Sequence, residues 1–360
     1  MKYIHIYLMS IIYLFGCSNI ETNIDHSNTI AFDNITYIEK FPKKVYLTEG
    51  EDINLDIFGI KEIYTIDSML VVRTQEKNGV WSFYSINNHR LLGSFINIGK
   101  ANNEFIFAPL LGTQSYYVDK NSDHICILHK FDNSTLKFNI SQSLRDNKLA
   151  IEVMSKISKP NVFSYQYIND STYYMRYLSN DERYQNREFV VSGESYIPDH
   201  IKLLNQSKVG ERCDFNIISS ISQYNHHNNI LIEAPISLNT LNLYNVNGTI
   251  NKTICLGKEL MSISKCESSP MEKMLYTFEK VRHYDNFFSV LYLGITRLEY
   301  EERQKRPLRE STIYVFDYKG EPLCEICVGY DIESYCFSQD GQHIYILTKA
   351  EEIYMYNIKF

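Results

Sequence analysis

The sequence predicts an all-β fold, a six-bladed β-propeller, from its composition, a short repeated template and a final unit that lacks one strand. Tyr and Phe are abundant, at 29 and 19 of 360 residues. Aromatic and β-branched side chains suit the pleated, half-buried surface of a β-sheet. Because 44% of the residues are hydrophobic, the chain can bury a full core, and long-range disorder is not expected.

The repeated template consists of an apolar residue, Tyr or Phe, a small polar residue, a second apolar residue and a turn. Its clearest copies begin at Phe83, Leu243, Val315 and Met355, and looser copies lie at Ile127–His129 and Phe189–Val191. Propeller blades repeat with periods of about forty to fifty residues, which insertions lengthen. The copies are spaced by roughly forty to seventy residues, so they predict six blades.

The first unit shows the layout of one blade most clearly. We expect its four strands at residues 62–66, 69–74, 80–86 and 90–98. The last unit repeats this layout with strands at 334–338, 343–348 and 352–358, and the first two are joined by Asp340-Gly341. Asp-Gly between apolar runs is a strong hairpin signal. The middle units keep the rhythm, with turns expected at Asn169-Asp170, His226–Asn229 and Asp285-Asn286.

The last unit has only three strands before the chain reaches Phe360. We expect the apolar run Ile35–Leu47 to pair beside Ile353–Ile358 and close the ring, because closure hides strand edges. The competing interpretation is two unrelated β-sandwiches. The even spacing of the units and the missing strand favour the propeller.

The N-terminus has the proportions of a bacterial lipoprotein signal. Lys2 is followed by the mostly apolar Ile4–Phe15 and then by Leu14-Phe15-Gly16-Cys17. This run is too short to span a bilayer comfortably, and the spacing before the Cys is that of a lipobox. The alternative is an ordinary buried first element with an incidental Cys.

The lipobox divides the chain into three predicted parts. Residues 1–16 form a signal peptide, residues 17–34 form the lipidated Cys17 and a polar tether, and residues 35–360 form the propeller. Several acyl chains on Cys17 would hold the protein stably on a lipid bilayer. Ser18 replaces the Asp of the usual inner-membrane retention signal. We therefore expect a lipid-anchored protein of the cell envelope, at the outer membrane.

Through two stretches, Gly99–Phe105 and Phe337–Ile344, the chain resembles the TolB-like six-bladed β-propeller lipoproteins of Gram-negative bacteria. In Gly99–Phe105 it matches their glycine-rich stretch at Gly99, Glu104 and Phe105, although Ala101 and Asn102 replace a Gly and a Pro. Phe337–Ile344 is similar to the hairpin of TolB-type blades. The resemblance implies architecture and compartment, and it implies no activity.

Seven cysteines follow Cys17, an odd number that cannot pair completely within one chain. Cys324 and Cys327 have CxxC spacing but lie in a strand-like run, where positions three apart face opposite sides of a sheet. We interpret these cysteines as small buried hydrophobic residues.

Four carboxylates are candidate ligand-binding residues. Glu62, Asp119 and Glu333 lie near the expected starts of blades, where propeller enzymes gather carboxylates at the channel mouth. Glu104 is expected either to fix its turn by binding backbone amides or to face the channel and bind a ligand or cation. Nothing in the sequence shows that the four converge.

No catalytic motif of a serine hydrolase, zinc protease or phosphate-binding loop is present. The ten histidines have no metal-ligand spacing, so we expect no metal and no cofactor. A net charge of −7 without a basic stripe argues against nucleic acid. The tyrosine-rich stretch 165–184 and the charged segment Leu298–Arg309 are candidate partner surfaces.

These features favour a non-enzymatic binding or scaffold propeller for another envelope protein or a glycan. The alternative is a calcium-dependent propeller hydrolase or lactonase, so the enzyme question stays open at this point. A purely structural lipoprotein is a third possibility.

Overall fold

The computed structural model of the protein describes residues 24–211, 214–303, 305–308 and 310–360. Three short strands come first: β1 (Ile35–Ile38), β2 (Lys44–Leu47) and β3 (Glu51–Asp52). The chain then builds six sheets in succession, each from strands that are adjacent in sequence. The predicted six-bladed propeller is confirmed.

Blades 1 to 3 are four-stranded antiparallel sheets. Blade 1 consists of β4 (Ile60–Ile66), β5 (Met69–Thr74), β6 (Trp81–Ser85) and β7 (Leu91–Phe95). Blade 2 consists of β8 (Ser115–Val118), β9 (His124–His129), β10 (Ser134–Asn139) and β11 (Ile151–Lys156), with helix α1 (Ile140–Asp146) between its last two strands. Blade 3 consists of β12 (Val162–Asn169), β13 (Thr172–Leu178), β14 (Gln185–Val191) and β15 (Glu194–Tyr196), and helix α2 (Asp199–Leu204) follows it.

Blades 4 to 6 complete the ring. Blade 4 consists of β16 (Ser220–Asn225), β17 (Ile230–Pro235), β18 (Thr240–Tyr244) and β19 (Asn251–Leu256), and helix α3 (Ile263–Glu267) follows it. Blade 5 consists of β20 (Leu275–His283), β21 (Phe288–Thr296), β22 (Ser311–Phe316) and β23 (Pro322–Val328), with helix α4 (Arg297–Glu302) between β21 and β22. Blade 6 consists of β24 (Ile332–Phe337), β25 (His343–Thr348) and β26 (Ile353–Asn357).

In the described part of the chain, three 3-10 turns lie between blades, at Leu111–Thr113, Phe215–Ile218 and Met271–Lys273. The first strand of each blade is the innermost one, and β24 contacts β4 while β16 contacts both β12 and β20. The hydrophobic core lies between successive blades, with one large cluster formed by residues of blades 1 and 2. No helix in the part of the chain that the structure describes is long and apolar enough to cross a membrane.

An N-terminal strand does complete blade 6, but it is not the predicted segment. The strand that pairs with β26 is β3, with Asp52 opposite Tyr354. The run Ile35–Leu47 instead forms β1 and β2, which pair in parallel with β19 and β23 as fifth strands of blades 4 and 5. Pro42 lies between β1 and β2 and has no N–H to donate to a ladder, so the run divides into two strands.

Part of the predicted tether also belongs to the folded domain. Ile30, Ala31 and Phe32 are buried. The Phe32 amide donates to Thr253 Oγ1 at 2.7 Å, and Asn242 Nδ2 donates to the Ile30 carbonyl at 3.1 Å. These three consecutive apolar residues of an otherwise polar segment pack against blade 4, so the folded domain begins before residue 35. Residues 1–23, including Cys17, lie outside the described part of the chain.

Five copies of the template lie on the third strand of their blades, namely β6, β14, β18, β22 and β26. The copy at Ile127–His129 lies instead on β9, the second strand of blade 2. The equivalent third strand, β10, carries the buried Leu136 and Phe138. Six of the seven later cysteines fall in the described residues, and all six are unpaired and buried, as predicted.

Candidate functional site

A cleft of about 860 Å³ opens at the end of the propeller where the innermost strands begin. One wall is loop 99–110, which connects blade 1 to blade 2. The opposite walls are the β9–β10 hairpin around 129–133 and the starts of β12 and β16. Segments from blades 1 to 4 therefore meet around one cavity.

Large apolar side chains surround the mouth of this cleft. We call Ile106, Phe107, Leu110, Phe131 and Phe163 the apolar rim; all five line the cleft and all five are exposed. Phe107 and Phe131 meet edge to face with ring centroids 6.4 Å apart, so the two walls touch through aromatic rings. Exposed apolar patches around a cavity are typical of binding sites.

The floor of the cleft carries a buried positive charge. Arg176, on β13, lines the cavity and is only 3% exposed. Its Nη1 donates to Ser222 Oγ at 3.1 Å and lies 3.5 Å from Glu233 Oε1. Its Nη2 donates to the Ser220 carbonyl. These contacts hold the guanidinium in one orientation beneath the cavity.

Arg176 shares its acidic partner with a second arginine. Arg187 binds Glu233 more closely, with Nη2 2.7 Å from Oε1 and Nε 2.9 Å from Oε2. Burial alone would raise the pKa of Glu233, but the Arg187 guanidinium outweighs it and brings the pKa to about 2. Glu233 is therefore ionised at neutral pH, and one carboxylate faces two guanidinium groups.

Two buried nitrogen atoms that belong to the cleft walls have no hydrogen-bond partner among the described residues. They are Arg176 Nε and His129 Nε2. Burial lowers the pKa of His129, so its ring is neutral at neutral pH and one ring nitrogen carries a proton. Buried polar atoms are nearly always bonded in folded proteins, and unpaired ones call for an explanation.

Glu104 lines the same cleft but binds its own turn. Its Oε2 accepts from the Ala101 amide at 3.0 Å, and its amide donates to the Ala101 carbonyl at 3.0 Å. A Cβ atom on Gly99 would collide with the Glu104 carboxylate, so the glycine permits this close approach. Of the two roles expected for Glu104, the geometry shows the turn-fixing one.

Glu62 lies on the innermost strand β4, where it holds a turn inside the ring. Its oxygens accept from the amides of Leu111 and Gly112 at 2.8 and 3.0 Å. Arg282 Nη2 lies 3.0 Å away and Arg73 Nε 3.2 Å away. A side chain on Gly112 would collide with the Arg282 guanidinium. Glu62 thus binds the Leu111–Thr113 turn and two arginines rather than an open channel.

The other two candidate carboxylates are also engaged elsewhere. Asp119 follows the end of β8, at the end of the ring opposite the cleft, and accepts from the amides of Asn121 and Asp123 at 2.8 and 2.9 Å. Glu333 accepts from Lys349 Nζ at 2.5 Å. The four candidates therefore do not form one site. No group of three or more His, Cys, Asp or Glu among the described residues is arranged to hold a metal ion.

The two candidate partner surfaces are largely structural. Tyr165, Tyr167 and Tyr174 of the tyrosine-rich stretch are buried in blade 3. Just before the charged segment, Thr296 caps helix α4 reciprocally with Glu299 of the segment. The buried Arg303 binds Asp331 Oδ1 through its Nε at 2.8 Å, which fixes this segment to the start of blade 6.

Arg176 and the apolar rim are not among the residues that the sequence predicts for a site. The rim had a signal, because Phe105–Leu111 is an apolar run placed between two blades, where a connecting loop is usually polar. Arg176 had none, since it stands between Met175 and Tyr177 in an ordinary strand pattern.

A family model described as TolB-like 6-blade propeller-like matches residues 58–340. No curated protein matches the chain. Among solved structures, a chain of "Crystal Structure of Mitotic Checkpoint Complex" is similar at 8% identity and a TM-score of 0.41. That alignment covers 84% of this chain and 77% of the other.

Proposed function

The chain belongs to the TolB-like six-bladed propeller family, and from that premise we propose that it is an envelope-anchored, non-enzymatic binding propeller. Its binding site is the cleft, and the single observation that carries this proposal is the apolar rim around a cavity of about 860 Å³. Exposed apolar surface is costly in water, and a partner that covers the rim removes that cost.

The composition of the rim favours a protein over a glycan. Its members are Phe, Ile and Leu, which offer contact area but no hydrogen-bonding group to sugar hydroxyls. Tyr and Trp combine an aromatic face with a polar tip and suit that task better. We therefore propose that an apolar segment of another envelope protein enters the cleft. The alternative of a calcium-dependent hydrolase gains no support from the geometry, because its candidate carboxylates are bound to amides and cations.

The test of the cleft is photo-cross-linking in intact cells. A benzoyl-phenylalanine at position 131, where the native Phe is 84% exposed, is expected to yield a discrete adduct with one envelope protein. The same probe at position 46 is the matched control, since Tyr46 is an exposed aromatic on the outer edge of blade 5. Adducts of equal yield at both positions would contradict the proposal that the cleft is the binding site. A glycan adduct at position 131 would show that the partner is a glycan and not a protein.

The anchor has a separate test. Replacing Cys17 with Ser is expected to abolish acylation of the chain, because its thiol is the proposed attachment point of the lipid. Fractionation with labelled fatty acid measures both the location and the acylation. Ser18→Ala keeps the thiol and serves as the control. If the Cys17→Ser chain still incorporates the labelled fatty acid, the lipobox interpretation is wrong.

A further inference from the structure

We propose that the cleft selects an acidic group on its partner: a carboxylate bound at Arg176, next to an apolar side chain packed on the apolar rim. This inference rests on the proposed function and names the chemistry of the segment that enters the cleft. The partner protein would present an acidic residue beside a Phe, Leu or similar residue.

The floor of the cleft carries more positive than negative charge. Glu233 is the only carboxylate among the described residues that pairs with Arg176 or Arg187. Arg187 occupies both of its oxygens at 2.7 and 2.9 Å, while Arg176 reaches one at 3.5 Å. The two guanidinium groups share one carboxylate, so this buried cluster carries one excess positive charge. Buried charge is costly unless an opposite charge offsets it.

The other charged groups on the cleft walls do not neutralise Arg176. Glu104 binds the Ala101 amide, and Asp132 accepts from the Ser134 hydroxyl at 2.6 Å. Lys130 donates to the Asn102 carbonyl at 3.2 Å and lies over the Phe105 ring. The two acids therefore face their own turns, and Lys100 and Lys130 balance their charge. The charged groups on the walls therefore do not offset the excess positive charge at Arg176, although the whole chain has a net charge of −7.

The cleft walls also contain buried nitrogen atoms that lack hydrogen-bond partners among the described residues. Arg176 Nε is a buried N–H donor without an acceptor, and His129 Nε2 is a second unpaired atom on the same walls. A carboxylate has two oxygens that accept several hydrogen bonds, and planar guanidinium groups bind it well. An acidic group in the cleft would supply the acceptor that the Arg176 Nε lacks.

The size of the cleft agrees with this occupant. Pockets for small ligands hold about 300–1,000 Å³, and this one has about 860 Å³. That space admits two or three side chains of an extended segment and excludes a folded domain. The apolar rim lies at the mouth and Arg176 at the floor, so the acidic residue would enter first.

The test uses two peptides that differ in one charge, acetyl-Phe-Glu-Phe-amide and acetyl-Phe-Gln-Phe-amide, titrated into the purified full chain by calorimetry. We expect the Glu peptide to bind about tenfold more tightly. A hydrogen bond to a charged group is roughly twice as strong as a neutral one, and that difference corresponds to about a tenfold change in the dissociation constant. Arg176→Gln is expected to abolish this preference, so that the two peptides bind with equal affinity. Arg145→Gln is the control, since Arg145 is an exposed arginine that pairs with Asp123 in blade 2.

The outcomes separate the two proposals. If both peptides bind with equal affinity and Phe131→Ser weakens both, the cleft is a binding site and the acidic selectivity is wrong. If neither peptide binds, the acidic selectivity is wrong, and the cross-link at position 131 still decides whether the cleft binds a partner. If Phe131→Ser changes neither affinity, the proposed role of the apolar rim is wrong. Because Arg176→Gln could disturb folding, the ratio of the two affinities on the unmodified chain is the primary result. Arg176→Lys keeps the charge and is expected to retain part of the preference.

Discussion

Replacing Glu62 with Gln is expected to lower the free energy of unfolding by about 3–5 kcal/mol, the usual cost of breaking a buried ion pair. The substitution leaves the Arg282 guanidinium, whose side chain is 2% exposed, without its counter-charge. It also weakens the acceptors for the amides of Leu111 and Gly112. Burial alone would raise the pKa of Glu62, but Arg282 and its neighbours keep the pKa below its ordinary value. The carboxylate is therefore charged in the folded state.

Chemical denaturation measures this effect. Glu152→Gln is the matched control, because Glu152 is 68% exposed and lies 3.5 Å from Lys137. An exposed pair of that kind contributes at most about 1 kcal/mol. The interpretation of Glu62 as a structural residue is wrong if the two variants unfold at the same denaturant concentration. Unfolding of the Glu62→Gln chain at a lower denaturant concentration than the control supports that interpretation.

The second large effect concerns Glu233 and pH. Its folded-state pKa of about 2 lies below the ordinary value of 4.5. The group therefore adds stability that is complete above pH 4.5 and is lost as the pH falls towards 2. A shift of that size corresponds to about 3 kcal/mol. We expect unfolding free energies of the wild-type chain and of Glu233→Gln to differ most at pH 7 and to approach each other near pH 2.

Wild type and variant must be compared at each pH, because many other carboxylates also titrate in this range. The difference between the two chains isolates Glu233. A difference that stays constant from pH 7 to pH 2 would contradict the depressed pKa and with it the charged cluster under the cleft.

The blades could be predicted because their signal is local. The hairpin at Asp340-Gly341 and the strand His343–Thr348 follow from turn chemistry and alternation within a few residues. The strand with which an N-terminal strand pairs is distant in sequence, so no local pattern identifies it. Alternation identifies Ile35–Leu47 as strand-forming, but it does not say which of several free edges the segment will join.

The cleft could not be predicted for a related reason. Its walls come from loop 99–110, the 129–133 hairpin and the starts of β12 and β16, which only the closed ring brings together. Glu62 was a sound candidate by position, since it does lie on an innermost strand. Its role depends on Arg282, 220 residues away in sequence, which no local pattern reveals.

The central claim is that this propeller binds its partner in the cleft surrounded by the apolar rim. The most direct test compares the adduct yield in intact cells when the photo-cross-linker is at position 131 with the yield when it is at position 46. We expect the yield at 131 to exceed that at 46 several-fold and to come from one protein. Equal yields, or a dominant adduct at 46, would contradict the claim and place the binding surface on the outer edge of the blades.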